Sequence, residues 1–214
     1  CRDHGGPWQN DYEKNDKLDL SEAMESAKKS FLTDIKSDFQ IIHIDPTIDI
    51  HSKISTEQIF ERVFNLYEYC NTVSKKLNKK IVFEISLGKE DGGFDSYEEI
   101  KHVISKMESF CSKMNFPLPY FLVVRTGNHV MELQNVGSFE SIFLDKNQAT
   151  SKTNLLKIIE LCNKHQIRIK EHNTDYLSDK ALQIHPEIGI HAANVAPEFA
   201  VVETRAFLSL LKKN

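Results

Sequence analysis

The sequence predicts an α/β protein of the TIM (β/α)₈ type, an incomplete barrel of about six of the eight βα units in one domain over residues 1–214. Three observations predict it. Short β-rich runs alternate with amphipathic helical stretches along the chain. No Gly-x-Gly-x-x-Gly or Gly-x-x-x-x-Gly-Lys loop follows any run, as an open nucleotide-binding sheet would need. Each strand exit carries ionisable side chains, which a barrel would gather in one mouth.

Residues 1–10 read as the loop after a strand, and Leu20–Lys36 as a helix. Residues 39–45 (FQIIHID) read as a strand, followed by a helix over residues 55–78 with Ile59, Val63, Leu66, Tyr67, Cys70 and Val73 at helical spacing. Residues 80–87 (KIVFEISL) form the next strand and residues 96–114 the next helix. Residues 120–126 (YFLVVRT) follow as a strand, then a longer loop and a helix over residues 152–165. Residues 167–171 (IRIKE) are a strand leading to a short helix near residues 178–183. Residues 187–191 (EIGIH) are the last strand, before a helix over Pro197–Leu211. Ser55 with Gln58 and Ser96 with Glu99 have the spacing of capping boxes, and Pro197 suits a first helical turn. Five visible strands and one implied would leave two bare sheet edges, so the sequence is expected to be an excerpt of a longer barrel.

Composition narrows the function. A formal charge of −4 with no basic stripe argues against nucleic acid and anionic lipid. No apolar run approaches the roughly 20 residues that cross a bilayer, and residues 2–17 lack a signal-peptide pattern. Cys1, Cys70, Cys111 and Cys162 are dispersed, which fits a cytoplasmic protein without disulfides.

The strand exits supply the candidate site: Asp3 and His4, then His43 and Asp45, Glu84, Arg125 and Asn128, Glu171, His172, Thr174 and Asp175, and finally His191 and Asn194. Any one of these can be a cap or a satisfied buried group; Asp45 before Pro46 can start a turn and Asp175 can cap the helix that follows it. Together they would be costly to bury unless paired or holding a metal. His4, His43 and His172 with Glu84 or Glu171 make a nitrogen and oxygen set suited to a divalent metal, Zn²⁺ first. Asp3 and Asp45 beside it could move protons. Arg125, Asn128, Asp175, His191 and Asn194 are the candidate substrate contacts. Gly5–Gly6, Gly92–Gly93 and Gly127 could let backbone N–H groups approach a phosphate. His51, His102, His165 and His185 read as bystanders, and His129 as either.

These motifs resemble the class II tagatose-bisphosphate aldolase accessory-subunit family, some members of which are called tagatose 6-phosphate kinases. Arg2-Asp3-His4-Gly5-Gly6-Pro7 stands where members have Gly-Asp-His-Leu-Gly-Pro, and Ile42-His43-Ile44-Asp45 is similar to their Ile-His-Leu-Asp strand. Glu171-His172-Asn173-Thr174-Asp175-Tyr176 is similar to Glu-Ala-His-Ser-Thr-Asp-Tyr, one residue shorter between Glu and His. The register implied begins at the end of the second barrel strand and stops in the helix after the seventh. The sequence departs where the family has Gly-Thr-Glu, here Glu84-Ile85-Ser86-Leu87-Gly88, and where it has Lys-Val-Gly-Pro, here Ile190-His191-Ala192-Ala193-Asn194. The resemblance implies a sugar or sugar-phosphate ligand and two functions. One is a metal-dependent enzyme, a ketose 4-epimerase or aldolase working by aldol and retro-aldol chemistry, with Asp3, Asp45 and Glu171 as acid and base. The other is a non-catalytic accessory subunit that stabilises a class II aldolase. The corresponding partners are an aldolase catalytic subunit or a second copy of the chain.

Overall fold

The computed structural model describes residues 1–88, 95–144 and 149–212. The chain divides into two compact units, Cys1–Lys89 with Lys101–Val123, and Glu90–Ile100 with Val124–Asn214.

The first unit holds four parallel strands in chain order: β1 (Arg2–Gly5), β2 (Ile41–Ile44), β3 (Val82–Ile85) and β4 (Phe121–Val123). Helices α1 (Asp11–Asn15), α2 (Leu20–Lys36) and α3 (Thr56–Lys76) lie between them in sequence, and α4 (Tyr97–Met114) precedes β4. Parallel neighbours need such crossovers. Two helix starts follow the capping-box logic: Asp19 with Glu22 opens α2, and Ser55 with Gln58 opens α3 as the sequence predicts. The apolar stripes meet the sheet. Phe31 and Ile35 of α2, Ile42 and Ile44 of β2, Leu66, Tyr67 and Cys70 of α3, and Ile85 of β3 are all fully buried. Residues 1–10 are more than a loop, because Arg2–Gly5 pairs with β2 and brings Asp3 and His4 into a strand.

In the second unit, β7 (Arg168–Glu171) and β8 (Ala192–Ala193) are parallel, and Val124 extends the pairing by donating its N–H to the Lys170 carbonyl at 3.3 Å. Residues between β4 and the next helices form a small hairpin, β5 (Val130–Met131) with β6 (Gln134–Asn135), which the sequence reading leaves as loop. Helices α5 (Phe139–Leu144), α6 (Ala149–Lys164), α7 (Asp179–Ile188) and α8 (Pro197–Leu211) complete it. Phe139, Ile158, Cys162, Ile169 and Ala181 form its core. Ser96 and Glu99 bond reciprocally at 3.2 and 2.8 Å and open α4.

One strand assignment needs correction. Glu187 and Ile188 end helix α7, and Gly189 takes a left-handed φ of 96° as its C-terminal stop, so the strand begins only at Ala192. The alternation of Ile188 and Ile190 imitates a strand across that stop. Helix α8 has no buried residue. Phe199, Val202, Phe207, Leu208 and Leu211 are each at least half exposed.

Four parallel strands in the first unit and two in the second, in βα order among the described residues, are consistent with an incomplete α/β barrel. No described helix is long and apolar enough to cross a membrane. All four cysteines are free thiols, and burial pushes Cys111 up to about 11 and Cys162 up to about 12, which leaves both unreactive at neutral pH.

Candidate metal centre

The first unit gathers Asp3, His4, His43, Asp45 and Glu84 at the ends of β1, β2 and β3. Regular pairing sets His43 against Glu84 across β2 and β3. Both are fully buried, with His43 Nδ1 3.6 Å from a Glu84 oxygen. Neighbours along a regular strand point to opposite faces, so Asp3 and His4 could not both reach His43 from a flat β1. The register of β1 against β2 shifts between Arg2 and Gly5, and His4 has a φ of 43°. This bulge, in the left-handed region, re-aims the side chains. Asp3 comes within 3.5 Å of His43 Nδ1, and the His4 ring lies 4.8 Å from the His43 ring. The His4 backbone N–H donates to His43 Nδ1 at 3.2 Å.

Gly5 and Gly6 have a packing role there. A Cβ on Gly5 would stand 2.3 Å from the Phe31 ring, and one on Gly6 2.2 Å from the Asp45 carbonyl oxygen. Their missing side chains let β1 close on β2, a structural reason that needs no phosphate. Gly92–Gly93 lies outside the described residues.

Asp45 is nearly buried and surrounded by donors. One carboxylate oxygen accepts from the Thr47 backbone N–H at 3.2 Å and its hydroxyl at 2.6 Å. The other pairs with His4 Nδ1 at 2.7 Å and accepts from Gln9 Nε2 at 3.1 Å. The Thr47 contacts belong to the turn that Asp45 before Pro46 predicts. Burial alone would raise the Asp45 pKa, but bonds from His4 and Thr47 and the charges of His43 and His4 hold it below the ordinary aspartate value.

The donor set fits a divalent metal. Ligand atoms of Asp3, His43 and Glu84 lie within 4.8 Å of one another, as do those of His4, His43 and Asp45. Imidazole and carboxylate suit Zn²⁺ and its first-row neighbours. Two of the three carboxylates, Asp45 and Glu84, are buried with His43, and such burial favours added positive charge.

The second unit has its own polar cluster. Glu171 ends β7, and one of its oxygens is hydrogen-bonded to Nε2 of His185, whose Nδ1 donates to the Ala181 carbonyl at 2.9 Å. A carbonyl only accepts, so Nδ1 carries a proton and a second proton lies between His185 and Glu171. His185 also stacks on Phe139 at 4.6 Å. The sequence reading makes His185 a bystander; the structure makes it the partner of a buried acid. Its one advance signal is its place beyond Ser178, on the inward face of the helix that Ser178 caps. Burial, the largest influence, raises Glu171 above the ordinary glutamate value despite His185. Burial, the largest single influence, pulls His185 down, but the bond and charge of Glu171 together with the backbone bonds at Ala181 and Leu182 leave the histidine above its usual value. Asn128 lies near enough to lower Glu171, yet neither its amide nitrogen nor its oxygen meets hydrogen-bond geometry with a described residue.

The other expected contacts divide. His172 is buried and pairs its Nε2 with the Asn194 amide at 3.2 Å, beside Glu171 at the strand exit. Arg125 is held by Asp95, through its backbone N–H and Nε at 2.7 Å each. Asp175 does not cap the helix that follows it, α7, which Ser178 caps; it accepts instead from the backbone N–H groups of Ala196 and Glu198 at 2.9 and 2.8 Å, at the start of α8. His191 precedes β8 and accepts from the Ile169 N–H at the start of β7, so it stands at the opposite end of these strands from Glu171 and Asn194. Burial and the charge of Arg168 lower its pKa.

No family model and no curated protein matches the chain. Among solved structures it is similar to a probable tagatose 6 phosphate kinase from Sinorhizobium meliloti 1021, at 17% identity and a TM-score of 0.68, over 92% of this chain and 47% of that one. It is also similar to a protein named as a phosphonomutase from Burkholderia cenocepacia J2315, at 6% identity and a TM-score of 0.52, over 89% and 66%. A fructuronate-tagaturonate epimerase from Cohnella laeviribosi aligns at 12% identity and a TM-score of 0.43, over 87% and 37%. The first two share the fold. The chain spans about half the length of the first.

Proposed function

We propose that this protein is a metal-dependent enzyme on a (β/α)₈-type barrel that acts on a ketose or sugar phosphate by aldol and retro-aldol chemistry, as a C4 epimerase or an aldolase. The observation that carries the reading is the convergence of Asp3, His4, His43, Asp45 and Glu84 at three strand ends. Likeness in fold to the Sinorhizobium protein, and the resemblance of the strand-end motifs, support the sugar class. His4, His43 and Glu84 would hold the metal, with His172 joining them on the sequence reading alone. When bound, such an ion acts as a Lewis acid on carbonyl and hydroxyl oxygens.

Asp3 is the exposed carboxylate of the set, its side chain 49% accessible, and is the group able to meet a ligand hydroxyl. In the proposed reaction it takes the C4 hydroxyl proton as the C3–C4 bond breaks, and the electron pair moves onto the C2 carbonyl. It returns the proton when the bond re-forms on the other face of the aldehyde. Glu171 as a further proton carrier, and Arg125, Asn128, Asp175 and Asn194 as substrate contacts, enter from the sequence reading; His191, at the other end of β7 and β8, is left out of the set.

The test is the Zn²⁺ content of dialysed full-length protein by atomic emission, for the wild type and for His43→Ala and His172→Ala. Loss of the ion in His43→Ala is expected, and undiminished content rejects the centre. Turnover of ketose phosphates with added divalent metal then tests the chemistry. The exposed apolar face of α8 favours a second reading, an accessory subunit of a class II tagatose-bisphosphate aldolase. That reading predicts a stable complex by size exclusion and no turnover alone.

A further inference from the structure

We propose that Asp45 is a positioning residue: it fixes His4 as the Nδ1–H tautomer and commits His4 Nε2 to the metal, and it is not itself a proton carrier. This rests on the metal reading of the same cluster and narrows it. The two groups of candidate ligands both contain His43, and geometry alone would allow Asp45 into the ion's coordination sphere. The hydrogen bonds argue otherwise.

A carboxylate has about four directions in which to accept, and Asp45 fills four. The Thr47 backbone N–H and the Gln9 amide can only donate, and the Thr47 hydroxyl donates at 2.6 Å. The fourth contact is His4 Nδ1 at 2.7 Å. An ionised carboxylate cannot donate, so the proton of that bond sits on Nδ1. In a neutral ring the lone pair is then on Nε2. Nε2 is also the nitrogen that faces Asp3, at 4.0 Å, on the side where Asp3 approaches His43. To accept a substrate proton, or to coordinate the ion directly, Asp45 would have to give up one of these bonds in a site where it is nearly buried. Carboxylates that hold a ligating imidazole in this way fix its tautomer and raise its basicity.

The backbone supports the same assignment. His4 has a left-handed φ of 43°, and Gly6 packs on the Asp45 backbone, where a Cβ would stand 2.2 Å from the carbonyl oxygen. The Asp45 backbone N–H donates to the Gly5 carbonyl at 2.7 Å, which ties the two strand ends on either side of the pair.

Long-range ¹H–¹⁵N NMR of the metal-free full chain reads the tautomer directly, and titration calorimetry with Zn²⁺ reads affinity. The expected results are an Nδ1–H His4 in the wild type, a mixed tautomer in Asp45→Asn, and Zn²⁺ binding about 10–100-fold weaker in that variant. Gln9→Ala and Thr47→Val keep the carboxylate and should weaken Zn²⁺ less than Asp45→Asn. An Nε2–H tautomer in the wild type overturns the proposal without any variant having to fold. So does a folded Asp45→Asn that binds Zn²⁺ as the wild type does. A wild type with Nδ1–H His4 that takes up no Zn²⁺ overturns it by another route, through the metal reading itself, and so separates the two failures.

Discussion

The two units treat a buried carboxylate in opposite ways. Asp45 in the first unit is shared among four donors on three residues, and the net effect lowers its pKa. Glu171 in the second leans chiefly on His185, with Asn128 a weaker influence and its other oxygen without hydrogen-bond geometry to any described residue, and burial raises its pKa. A distributed set of donors makes an ionised carboxylate tolerable in the interior. A single partner leaves it dependent on that partner. Ionisation is built into the first site and merely compensated in the second.

The largest effect should come from His185→Leu, which strands Glu171 in an apolar interior. Breaking a buried pair from one side costs about 3–5 kcal/mol, measured by urea denaturation. A loss below about 1 kcal/mol would show that Glu171 is well served without His185 and would erase the contrast. Next is pH, read as urea stability of the metal-free chain. The folded pKa of Asp45 lies below its unfolded value of 3.8, so its contribution is present above that value and lost as pH falls through the folded one. Asp45→Asn should flatten the acid limb. Glu171 and His185 both have folded values above their unfolded 4.5 and 6.5, so their contribution is complete below those values and fades as pH rises through the folded ones. Glu171→Gln should therefore flatten the other limb, and two variants flattening the same limb would contradict the comparison. The smallest effect is that of Gln9→Ala or Thr47→Val, about 0.5–1.5 kcal/mol each, because either leaves three donors on Asp45. A cost near that of His185→Leu would mean that Asp45 is no better supported than Glu171.

The sequence made the strand ends legible because β-rich runs and capping boxes are local signals. Ser55 with Gln58 and Ser96 with Glu99 behave as their spacing requires, and Leu20–Lys36 is a helix from end to end. His43 and Glu84 could be named as strand-end residues, but their pairing depends on register, which no single segment specifies. The turn at Asp45 was readable from Pro46. The two further donors come from Gln9 and His4, more than thirty residues away. The bulge at Asp3 and His4 left no mark in composition, since a left-handed histidine looks like any other histidine. His185 was hidden because its role is defined by Glu171, and His191 was misplaced because Gly189 ends a helix where the isoleucines suggested a strand.

Helix α8 has a practical corollary for anyone who works with this chain. A folded molecule that presents Phe199, Val202, Phe207, Leu208 and Leu211 to water offers a reporter dye somewhere to adsorb before any melting begins. Fluorescence-based thermal shifts would start from a bright baseline and understate the transition, whereas far-ultraviolet circular dichroism follows the backbone and is blind to that adsorption.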